Sequence, residues 1–531
     1  MSSASQATVL ILDYGSQYTQ LIARKIREIG IFSTILPAST PLSRIEQIAP
    51  KALILSGGPN SVYDPGAPKL PVGFLEFQKA TKLPTLGICY GLQLIVQEGG
   101  GTVKRANRRE YGRMGVSRVE HSEILIDPRF EAWMSHGDES DLLPEGFVVT
   151  ARSAAGAIAA VENVSRKILG LQFHPEVTHT QGGLEILKRF LVDFGGVPAN
   201  WKMGAIAEEH VERITAQVGP EEHAICALSG GVDSAVAAAL VHKVLGDRLH
   251  CVFVDHGLLR FQERERVMTM FRENLHLPVE CVDARARFLG KLKGVTDPEQ
   301  KRKIIGAEFI SVFDESAAAV GKRLGRTPAF LVQGTLYPDV IESSPAPGST
   351  GQGASHFATT IKSHHNVGGL PKDLKFKLIE PLRDLFKDEV RKLGAHLGVP
   401  TKFLKRHPFP GPGLAVRIVG DITPERVDLL QKVDEIFIRA IEEAGLYDEI
   451  WQAFAVFLPI RSVGVQGDGR THDHVVALRA VTSVDGMTAD WYPFPPKFLA
   501  EVSSRVCNEV VGVNRVVYDV SSKPPATIEW E

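Results

Sequence analysis

Cysteines, long apolar runs and basic leader segments are scarce or missing in this sequence of 531 residues. The five cysteines are an odd number, and no two of them stand at the spacing of a metal site, which argues against a disulfide framework and favours a reduced, intracellular compartment. No apolar run approaches the roughly 18 residues that a membrane helix needs. The stretch MSSASQATVLILDYG has no basic segment before an apolar one, so we expect no signal peptide, no membrane association and a cytoplasmic location.

An excess of one charge is also missing. Sixty lysines and arginines balance 62 acidic residues, the formal net charge is −2, and no long run carries one sign. This balance argues against nucleic acid or an anionic membrane surface as a partner. A local basic pocket for a phosphorylated small molecule is compatible with it.

What is present is a length well beyond that of one hydrophobic core. Glycine and proline interrupt the pattern near FGGVPANWKMG and again in HPFPGPGLAVR, and such interruptions mark connections between compact segments. We therefore predict three domains, at residues 8–198, 199–398 and 399–531.

Apolar strands alternate with helices in the first two predicted domains. Strands such as TVLILDYG, LPTLGIC and HAICALSGG stop at polar or glycine-rich ends, which indicates mostly parallel sheets covered on both faces. In the third domain a helix capped by Thr423 and Pro424 precedes strands and a second helix, which indicates an α+β domain with an antiparallel sheet. The predicted fold class is α/β, with two doubly wound parallel-sheet domains and a small α+β C-terminal domain.

A cysteine follows one of the predicted strands directly. In LPTLGICYGLQLIVQEGG, Cys89 lies between two glycines and a helix begins at once, as in the G-x-nucleophile-x-G elbow. The glycines allow a sharp turn, and the amides at the helix N-terminus favour the thiolate. Cys89 is therefore a candidate nucleophile, with a small buried core residue as the alternative.

A nucleophilic cysteine needs a base and a group that orients the base. The stretch QFHPE supplies His174 and Glu176, which point to the same side of an extended segment because they are two residues apart. We predict a triad of Cys89, His174 and Glu176. His136 and Asp138 in SHGDE are alternative partners of the cysteine, and we expect them to line the pocket or cap a turn instead.

Backbone amides near this triad are candidates for binding a developing oxyanion. The stretch LSGGPNS places Gly57 and Gly58 at the end of another strand. Their amides, together with that of Tyr90, form the predicted oxyanion hole.

A second glycine-rich turn, SGGVDS, lies between a strand and a helix in the second domain. It lacks the lysine of a P-loop, but its glycines, its two hydroxyls and the helix N-terminus suit phosphate oxygens. A tight strand-to-helix turn without a ligand is the alternative. The predicted ATP-binding residues are Ser229, Gly230, Gly231, Val232, Asp233, Ser234 and Ala235, with Asp255 at the end of the next strand near the nucleoside.

Charged residues later in this domain are further candidates. Asp339 and Glu342 are acids that are predicted to hold Mg²⁺ at the phosphates, with a solvated loop as the alternative. Lys362, Lys372 and Lys375 stand in a glycine-containing stretch that we predict to be a mobile lid over the phosphates. A charge-rich surface loop is the alternative for these lysines.

The motifs of the two α/β domains resemble two known families. Residues 8–197 resemble class I glutamine amidotransferases, which implies glutamine as substrate, ammonia as product and a glutamyl thioester on Cys89. The resemblance also implies that Gln17 and Gln93 line the glutamine pocket. SGGVDS resembles the PP-loop of N-type ATP pyrophosphatases, which implies that ATP is cleaved to AMP and pyrophosphate.

The chain as a whole resembles the GMP synthetase family, through KRKIIG, HPFPGPGLAVR, RSVGVQGDGRTHDH and SSKPPATIEWE. The resemblance implies that xanthosine monophosphate (XMP) is adenylylated and then aminated to GMP, with contacts to the nucleotide from Arg302, Gln466, Lys523 and Glu529. It further implies Mg²⁺ with the ATP, no organic prosthetic group, and a homodimer formed through the C-terminal domain. We expect the C-terminal residues to be held in the fold.

Two other enzyme classes and one non-enzymatic class compete with this interpretation. A glutamine-dependent amide ligase of the NAD synthetase kind would use similar modules, but the terminal motifs argue against it. A PP-loop enzyme that modifies tRNA is disfavoured because the sequence has no basic face and no paired cysteines. A scaffold without activity would be expected to have lost Cys89, His174 or the SGGVDS residues.

Overall fold

The computed structural model describes residues 8–343, 376–466, 468–483, 486 and 488–531. These residues form two compact units: the first unit contains the residues up to 206 together with 341–343, and the second unit contains the other described residues from 207 onward. The predicted domain boundaries after residues 198 and 398 stay predictions. Among the described helices, none combines the length and the apolar character needed to cross a membrane.

The first unit is built around one nine-stranded sheet in the order β2-β1-β3-β4-β9-β8-β7-β5-β6. Its strands are β1 (Thr8–Asp13), β2 (Phe32–Pro37), β3 (Ala52–Leu55), β4 (Thr85–Ile88), β5 (Thr102–Arg118), β6 (Arg129–Leu142), β7 (Val148–Ser153), β8 (Ile158–Asn163) and β9 (Ile168–Leu171). Its helices are α1 (Thr19–Glu28), α2 (Leu42–Ile48), α3 (Phe74–Thr81), α4 (Tyr90–Glu98) and α5 (Gly183–Lys188). Helix α6 (Met203–Gln217) contains the division between the units.

Only half of this sheet is parallel. β2, β1, β3, β4 and β9 pair in parallel, whereas β9, β8, β7, β5 and β6 pair antiparallel. The predicted doubly wound arrangement therefore describes only the parallel half, and the sequence analysis missed the antiparallel half. The α/β class itself is confirmed. β3, β4 and β9 are buried along their whole length, as their uninterrupted apolar residues predict.

The second unit begins with a five-stranded sheet in which all pairs are parallel, in the order β12-β11-β10-β13-β14. Its strands are β10 (Ala224–Leu228), β11 (Leu249–Asp255), β12 (Val279–Asp283), β13 (Phe330–Val332) and β14 (Lys377–Ile379). The chain leaves β10 toward β11 on one side and returns to β13 on the other. The end of β10 is therefore a topological switch point, where open α/β sheets bind ligands.

The helices of this unit are α7 (Val232–Leu245), α8 (Glu263–Thr269), α9 (Arg285–Leu292), α10 (Pro298–Leu324), α11 (Tyr337–Ser343), α12 (Lys387–His396), α13 (Thr401–Leu404), α14 (Pro424–Glu443) and α15 (Pro496–Glu509). Helix α7 ends before Gly246, which has a positive φ of 54°. The predicted start of α14 is confirmed. Thr423 caps α14, with its side chain accepting from the amide of Arg426 and with Pro424 in the first turn.

A second sheet completes this unit with β15 (Gln452–Gln466), β16 (Gly469–Thr482), β17 (Asp490–Trp491) and β18 (Val513–Tyr518). The predicted antiparallel pairing holds for β15 and β17 against β16. It is wrong for β18, which pairs in parallel with β16. Helix α15 supplies the long connection that a parallel partner requires.

One continuous hydrophobic core joins the residues of the second and third predicted domains. It includes Ile225 and Leu331 of the parallel sheet, Leu430 and Phe437 of α14, and Val476 of the second sheet, all buried. The parallel sheet and the C-terminal sheet are therefore packed as parts of one unit, which fixes the switch point relative to the C-terminal residues.

Candidate active sites

The elbow around Cys89 connects β4 to α4 with very little space. Cys89 lies at φ 52° and ψ −105°, a conformation that is costly for a residue with a side chain. A Cβ atom added at Gly91 would lie 2.4 Å from the carbonyl oxygen of Leu55, and one added at Gly87 would lie 2.6 Å from the carbonyl carbon of Gly91. Close backbone approach therefore requires both glycines of the motif.

His174 and Glu176 lie beside Cys89 on the segment after β9. Nδ1 of His174 is 2.7 Å from Oε1 of Glu176, and both side chains are buried. Burial lowers the pKa of His174, but the charge of Glu176 and hydrogen bonds to Cys89 and Glu176 raise it well above its ordinary value. The structure thus brings the three predicted side chains together in the order thiol, imidazole, carboxylate.

The sequence analysis missed a further neighbour of the sulfur. Nε2 of Gln172 donates to Sγ of Cys89 at 3.6 Å, and Gln172 is fully buried. Gln172, His174 and Glu176 alternate along one extended segment, so the periodicity that placed 174 beside 176 also placed 172 beside them. The alternation in QFHPE therefore predicts the position of Gln172 as well as those of His174 and Glu176.

A cavity of about 720 Å³ opens in front of Cys89 and His174. Its lining includes Gln17 and Gln93, where the resemblance places the walls of a glutamine pocket. The β5–β6 hairpin contributes a second set of lining residues that the sequence analysis did not propose, namely Arg105, Arg109 and Tyr111.

Gly57 and Gly58, the predicted oxyanion residues, lie next to His174 and Tyr90. A Cβ atom at Gly57 would be 3.1 Å from Cε1 of His174, and one at Gly58 would be 3.3 Å from Cγ of Tyr90. Tyr90 begins α4 directly after the cysteine. All three residues therefore lie around Cys89 and His174, and the binding of an oxyanion by their amides stays a prediction.

His136 and Asp138, the alternative partners of the cysteine, line the same cavity but are held by other groups. Nε2 of His136 is 3.1 Å from Oε2 of Glu110, and its Nδ1 is 3.0 Å from the carbonyl oxygen of Asp138. The carboxylate of Asp138 accepts hydrogen bonds from Ser61 and Tyr63. The expectation that they line the pocket agrees with this geometry.

The SGGVDS turn lies at the switch point of the second unit. Ser229, Gly230 and Gly231 form the loop after β10, and Val232, Asp233, Ser234 and Ala235 form the first turn of α7. Oγ of Ser229 and Oγ of Ser234 are 3.1 Å apart across the loop, and Ser229 also accepts from the amide of Gly231. Gly230 has a φ of 76°, which favours glycine.

Three side chains of this unit, two of them predicted site residues, form hydrogen bonds or ion pairs. Asp255 ends β11, accepts from the amide of Gly257 and lies 3.4 Å from Arg264. Asp339 accepts the amide of Leu336 through Oδ2 at 2.9 Å, at the start of α11. Arg406, which the sequence analysis missed, donates to the carbonyl oxygen of Gly230 at 3.2 Å.

Several predicted residues cannot be placed by the structure. Lys362, Lys372 and Lys375 lie outside the described residues, and so do the side chains of Glu342 and Gln466. The backbone of Glu342 belongs to α11, and that of Gln466 ends β15.

The C-terminal segment is held in the fold, as predicted. Glu529 accepts from Nε and Nη2 of Arg417 at 3.1 and 2.9 Å, and from Gln452 at 2.7 Å. Lys523 donates to the carbonyl oxygen of Gly486 at 2.7 Å. Arg302 donates to the backbone of Glu531 at 2.5 Å. Three of the predicted nucleotide contacts thus belong to, or contact, one ordered C-terminal segment.

Three buried cations that the sequence analysis missed hold this segment. The side chains of Lys301, Arg417 and Arg479 have no exposed surface. Lys301 pairs with the carboxylate of Glu531 and donates to Ile418 at 2.7 Å, and burial lowers its pKa although Glu531 opposes this effect. Arg479 donates to the carbonyl oxygens of Ser521, Thr527 and Ile528. Residues of this kind have no signature in a sequence, because their partners are more than forty positions away.

Comparison with known protein families gives a match in the first unit and a match in the C-terminal part of the second unit. The family described as "Glutamine amidotransferase class-I" matches residues 10–194, and that described as "GMP synthase C terminal domain" matches residues 439–530.

Full-length relatives carry one name. The GMP synthase (glutamine-hydrolyzing) of Bradyrhizobium sp. (strain ORS 278) is 52% identical over 98% of this chain and 96% of its own length. That of Carboxydothermus hydrogenoformans is 53% identical over 98% of this chain and 99% of its own. That of Chlorobaculum tepidum is 52% identical over the whole of both chains. With identity of this order along its full length, the chain belongs to the GMP synthase family.

Proposed function

We propose that this protein is a ligase that makes GMP from XMP, with ammonia taken from glutamine and with ATP cleaved to AMP and pyrophosphate. The observation that carries the proposal is the contact of Cys89 with His174, and of His174 with Glu176, at the wall of a cavity in the first unit. Membership of the GMP synthase family supports the choice of reaction, and the ordered C-terminal segment supports the choice of nucleotide.

In the first unit, the thiol of Cys89 gives its proton to Nε2 of His174 and the sulfur attacks the side-chain amide carbon of glutamine. The C–N bond breaks, the imidazolium protonates the leaving nitrogen, and ammonia departs from a glutamyl thioester. Water, activated by His174, then hydrolyses the thioester to glutamate. Glu176 holds the imidazole through Nδ1, and the amides of Gly57, Gly58 and Tyr90 stabilise the oxyanion.

In the second unit, the Ser229–Ala235 loop binds the β and γ phosphates of ATP. The 2-oxo group of XMP attacks the α phosphorus, the bond to the β phosphate breaks, and an adenylyl-XMP intermediate forms. Ammonia displaces AMP from this intermediate to give GMP. Arg302, Gln466, Lys523 and Glu529 contact XMP.

Mg²⁺ enters this reaction with ATP. Asp339 and Glu342 are the proposed protein ligands. A carboxylate has about four acceptor positions, and Oδ2 of Asp339 accepts the amide of Leu336 at 2.9 Å. Mg²⁺ commonly takes only one or two carboxylates in addition to phosphate oxygens and water. When bound, the ion neutralises charge on the departing pyrophosphate.

The proposed assembly is a homodimer formed through the C-terminal sheet, in the cytoplasm. β15 is an edge strand of that sheet, and it exposes Ile460, Val463 and Val465, the last by 76%. Exposed apolar side chains on an unpaired edge favour association with a second chain. Free thiols at all five cysteines support a reducing compartment. Light scattering of Val463→Lys/Val465→Lys against the unmodified protein tests the dimer, and an unchanged mass contradicts this interface.

The reaction is tested by incubating the protein with XMP, ATP, Mg²⁺ and glutamine. We expect GMP, AMP and pyrophosphate in equal amounts. Formation of ADP instead of AMP contradicts the proposed chemistry. Amidation of nicotinate adenine dinucleotide without amination of XMP supports the NAD synthetase alternative instead.

A further inference from the structure

The sulfur of Cys89 has a polar neighbour behind it that the proposed mechanism does not use. Gln172 is fully buried, and its Nε2 lies 3.6 Å from Sγ. Gln172 follows β9, and its backbone amide donates to the carbonyl oxygen of Ala159 at 2.9 Å. Its backbone is therefore fixed by the sheet, and its side chain is shielded from solvent.

The orientation of this side-chain amide is set by a second buried glutamine. Nε2 of Gln93 donates to Oε1 of Gln172 at 3.3 Å and to the carbonyl oxygen of Asp138 at 3.2 Å. Because Oε1 of Gln172 accepts from Gln93, the NH₂ group of Gln172 must face the sulfur. Gln93 lies on α4, one turn after Cys89, and its backbone amide donates to the carbonyl oxygen of Cys89.

The acceptor that holds Gln93 is itself held in place. The carbonyl oxygen of Asp138 also faces Nδ1 of His136, and Nε2 of His136 faces Oε2 of Glu110. Oε1 of Glu110 accepts from Ser153 at 2.7 Å. A chain of buried and partly buried polar groups thus runs from the β5–β6 hairpin to the sulfur.

We propose that Gln172 is a further catalytic residue, whose amide N–H stabilises the thiolate of Cys89, and that Gln93 is a positioning residue for that amide. The inference rests on the proposed glutaminase reaction and deepens it. The thiol proton goes to Nε2 of His174, and the negative charge left on sulfur gains a charge-assisted hydrogen bond from Gln172. Such bonds are about twice as strong as neutral ones.

This donor acts whenever the sulfur carries charge. The thiolate exists before attack on glutamine and again when the thioester breaks, so Gln172 favours both the formation of the nucleophile and its departure. While the sulfur is acylated, the hydrogen bond is weak. A group with this dependence stabilises charge at the reacting atom rather than the bound substrate.

Several titratable groups lie around the cavity in front of Cys89. His174 contacts the thiol from the segment after β9, with Glu176 behind it. The titratable groups that face the same cavity from other elements are His136 with its partner Glu110, Tyr18, Tyr63, Asp64, Arg105, Arg109, Tyr111 and Asp138. A substitution at Gln172 changes none of them and changes no charge.

The test is the pH profile of Cys89 alkylation by iodoacetamide, followed by mass spectrometry of the Cys89 peptide. Gln172→Met has a side chain of similar length but no donor. We expect its profile to move to higher pH by about one unit, because loss of a hydrogen bond to the charged sulfur raises the pKa of the thiol by about that amount. Gln93→Met should move it in the same direction by less. Glutaminase turnover should fall in the same order.

Gln78→Met is the matched control. Gln78 is also fully buried in the first unit, and its Nε2 donates to the carbonyl oxygens of Leu83 and Arg166 at 3.0 and 2.6 Å. We expect this variant to lose stability without a shift in the alkylation profile. If Gln172→Met does not fold, the Gln93→Met profile decides. An unshifted profile in the variants that fold overturns the inference. Because alkylation needs no glutamine, this outcome is distinct from a failure of the proposed reaction.

Discussion

At the scale of single residues, the neighbouring groups decide how the pKa of a buried histidine shifts. His174 keeps a raised pKa because Glu176 and Cys89 outweigh the effect of burial. His256 is equally buried but packs against Phe288 and Phe309, at ring distances of 5.7 and 5.2 Å. Burial there lowers the pKa of His256 to about 4, and Glu263 opposes this effect only weakly. One residue type thus serves as a base at one site and as a neutral core group at another.

The stability of the second unit should therefore fall in mild acid. Between about pH 6.5 and pH 4 the unfolded chain binds a proton at His256 and the folded chain does not, so acidification favours unfolding by up to about 1.4 kcal/mol per pH unit. His210 and His407, also buried with pKa values lowered to about 4, act in the same direction.

Urea unfolding at several pH values checks this prediction. Nδ1 of His256 accepts the amide of Leu258 at 3.1 Å, a bond that a protonated ring cannot make. His256→Asn should lower stability at pH 7 but flatten its decrease between pH 6.5 and pH 4. Equal slopes in the two proteins would contradict the assignment.

The residues found from the sequence and the residues missed differ in how far apart their partners lie. Cys89 was found because Gly87 and Gly91 flank it, and His174 because Glu176 stands two positions away. Arg417 was missed because its partner Glu529 lies 112 positions along the chain. Gln172 is an exception, since its position relative to His174 was available and only its long-range partner Cys89 was not considered. Local patterns identify chemistry, but they do not identify what holds it in place.

At the scale of elements, the first turn of α10 links helix stability to the C-terminal segment. Asp297 caps this helix, accepting the amide of Gln300 at 2.8 Å, with Pro298 in the first turn. Lys301 ends this turn, Arg302 follows it, and both contact Glu531. The cap therefore supports the two cations that hold the end of the chain.

Asp297→Ala should lower the free energy of unfolding by about 1 kcal/mol, the usual cost of a lost N-cap. We also expect a higher KM for XMP, because the frayed turn positions Arg302 less well. Asp297→Asn keeps the cap and should behave like the unmodified protein in both measurements. An unchanged KM in Asp297→Ala would separate the cap from nucleotide binding.

The C-terminal segment itself should be needed for both stability and synthesis. Glu529→Ala leaves the buried guanidinium of Arg417 without its bidentate partner, and breaking a buried ion pair typically costs roughly 3 kcal/mol or more. Synthesis from glutamine and from ammonium should both fall, while Cys89 alkylation stays normal. Glu529→Gln, which can still accept one hydrogen bond, should lose less stability. Normal synthesis in a folded Glu529→Ala protein would contradict the role of Glu529.

Elements were predicted best where one period governs the whole segment. Uninterrupted apolar runs identified β3, β4 and β9, and the cap at Thr423 identified the start of α14. The long hairpin of β5 and β6 was missed because the register of its two strands shifts at a bulge between Arg105 and Glu110. That hairpin supplies Arg105, Arg109 and Tyr111 to the cavity, so the same irregularity hid both the strands and part of the site.

At the scale of the whole molecule, the two chemistries reside in different compact units. Cys89, His174 and the cavity belong to the first unit, and the Ser229–Ala235 loop and the C-terminal segment belong to the second. Each unit has its own sheet and its own core. On the proposed mechanism, ammonia made in the first unit is consumed in the second.

Separate units predict separable activities. Cys89→Ala removes the nucleophile and should abolish GMP formation from glutamine, while synthesis from added ammonium at pH 8.5, where more of it is unprotonated, should continue at nearly the unmodified rate. Measurement of AMP and GMP with each nitrogen source checks this. Ser234→Ala is the reciprocal control, because it should reduce synthesis from both sources through the phosphate loop without changing Cys89 alkylation. Loss of ammonium-dependent synthesis in a folded Cys89→Ala protein would mean that the sulfur also serves the second reaction, which two independently built units do not predict.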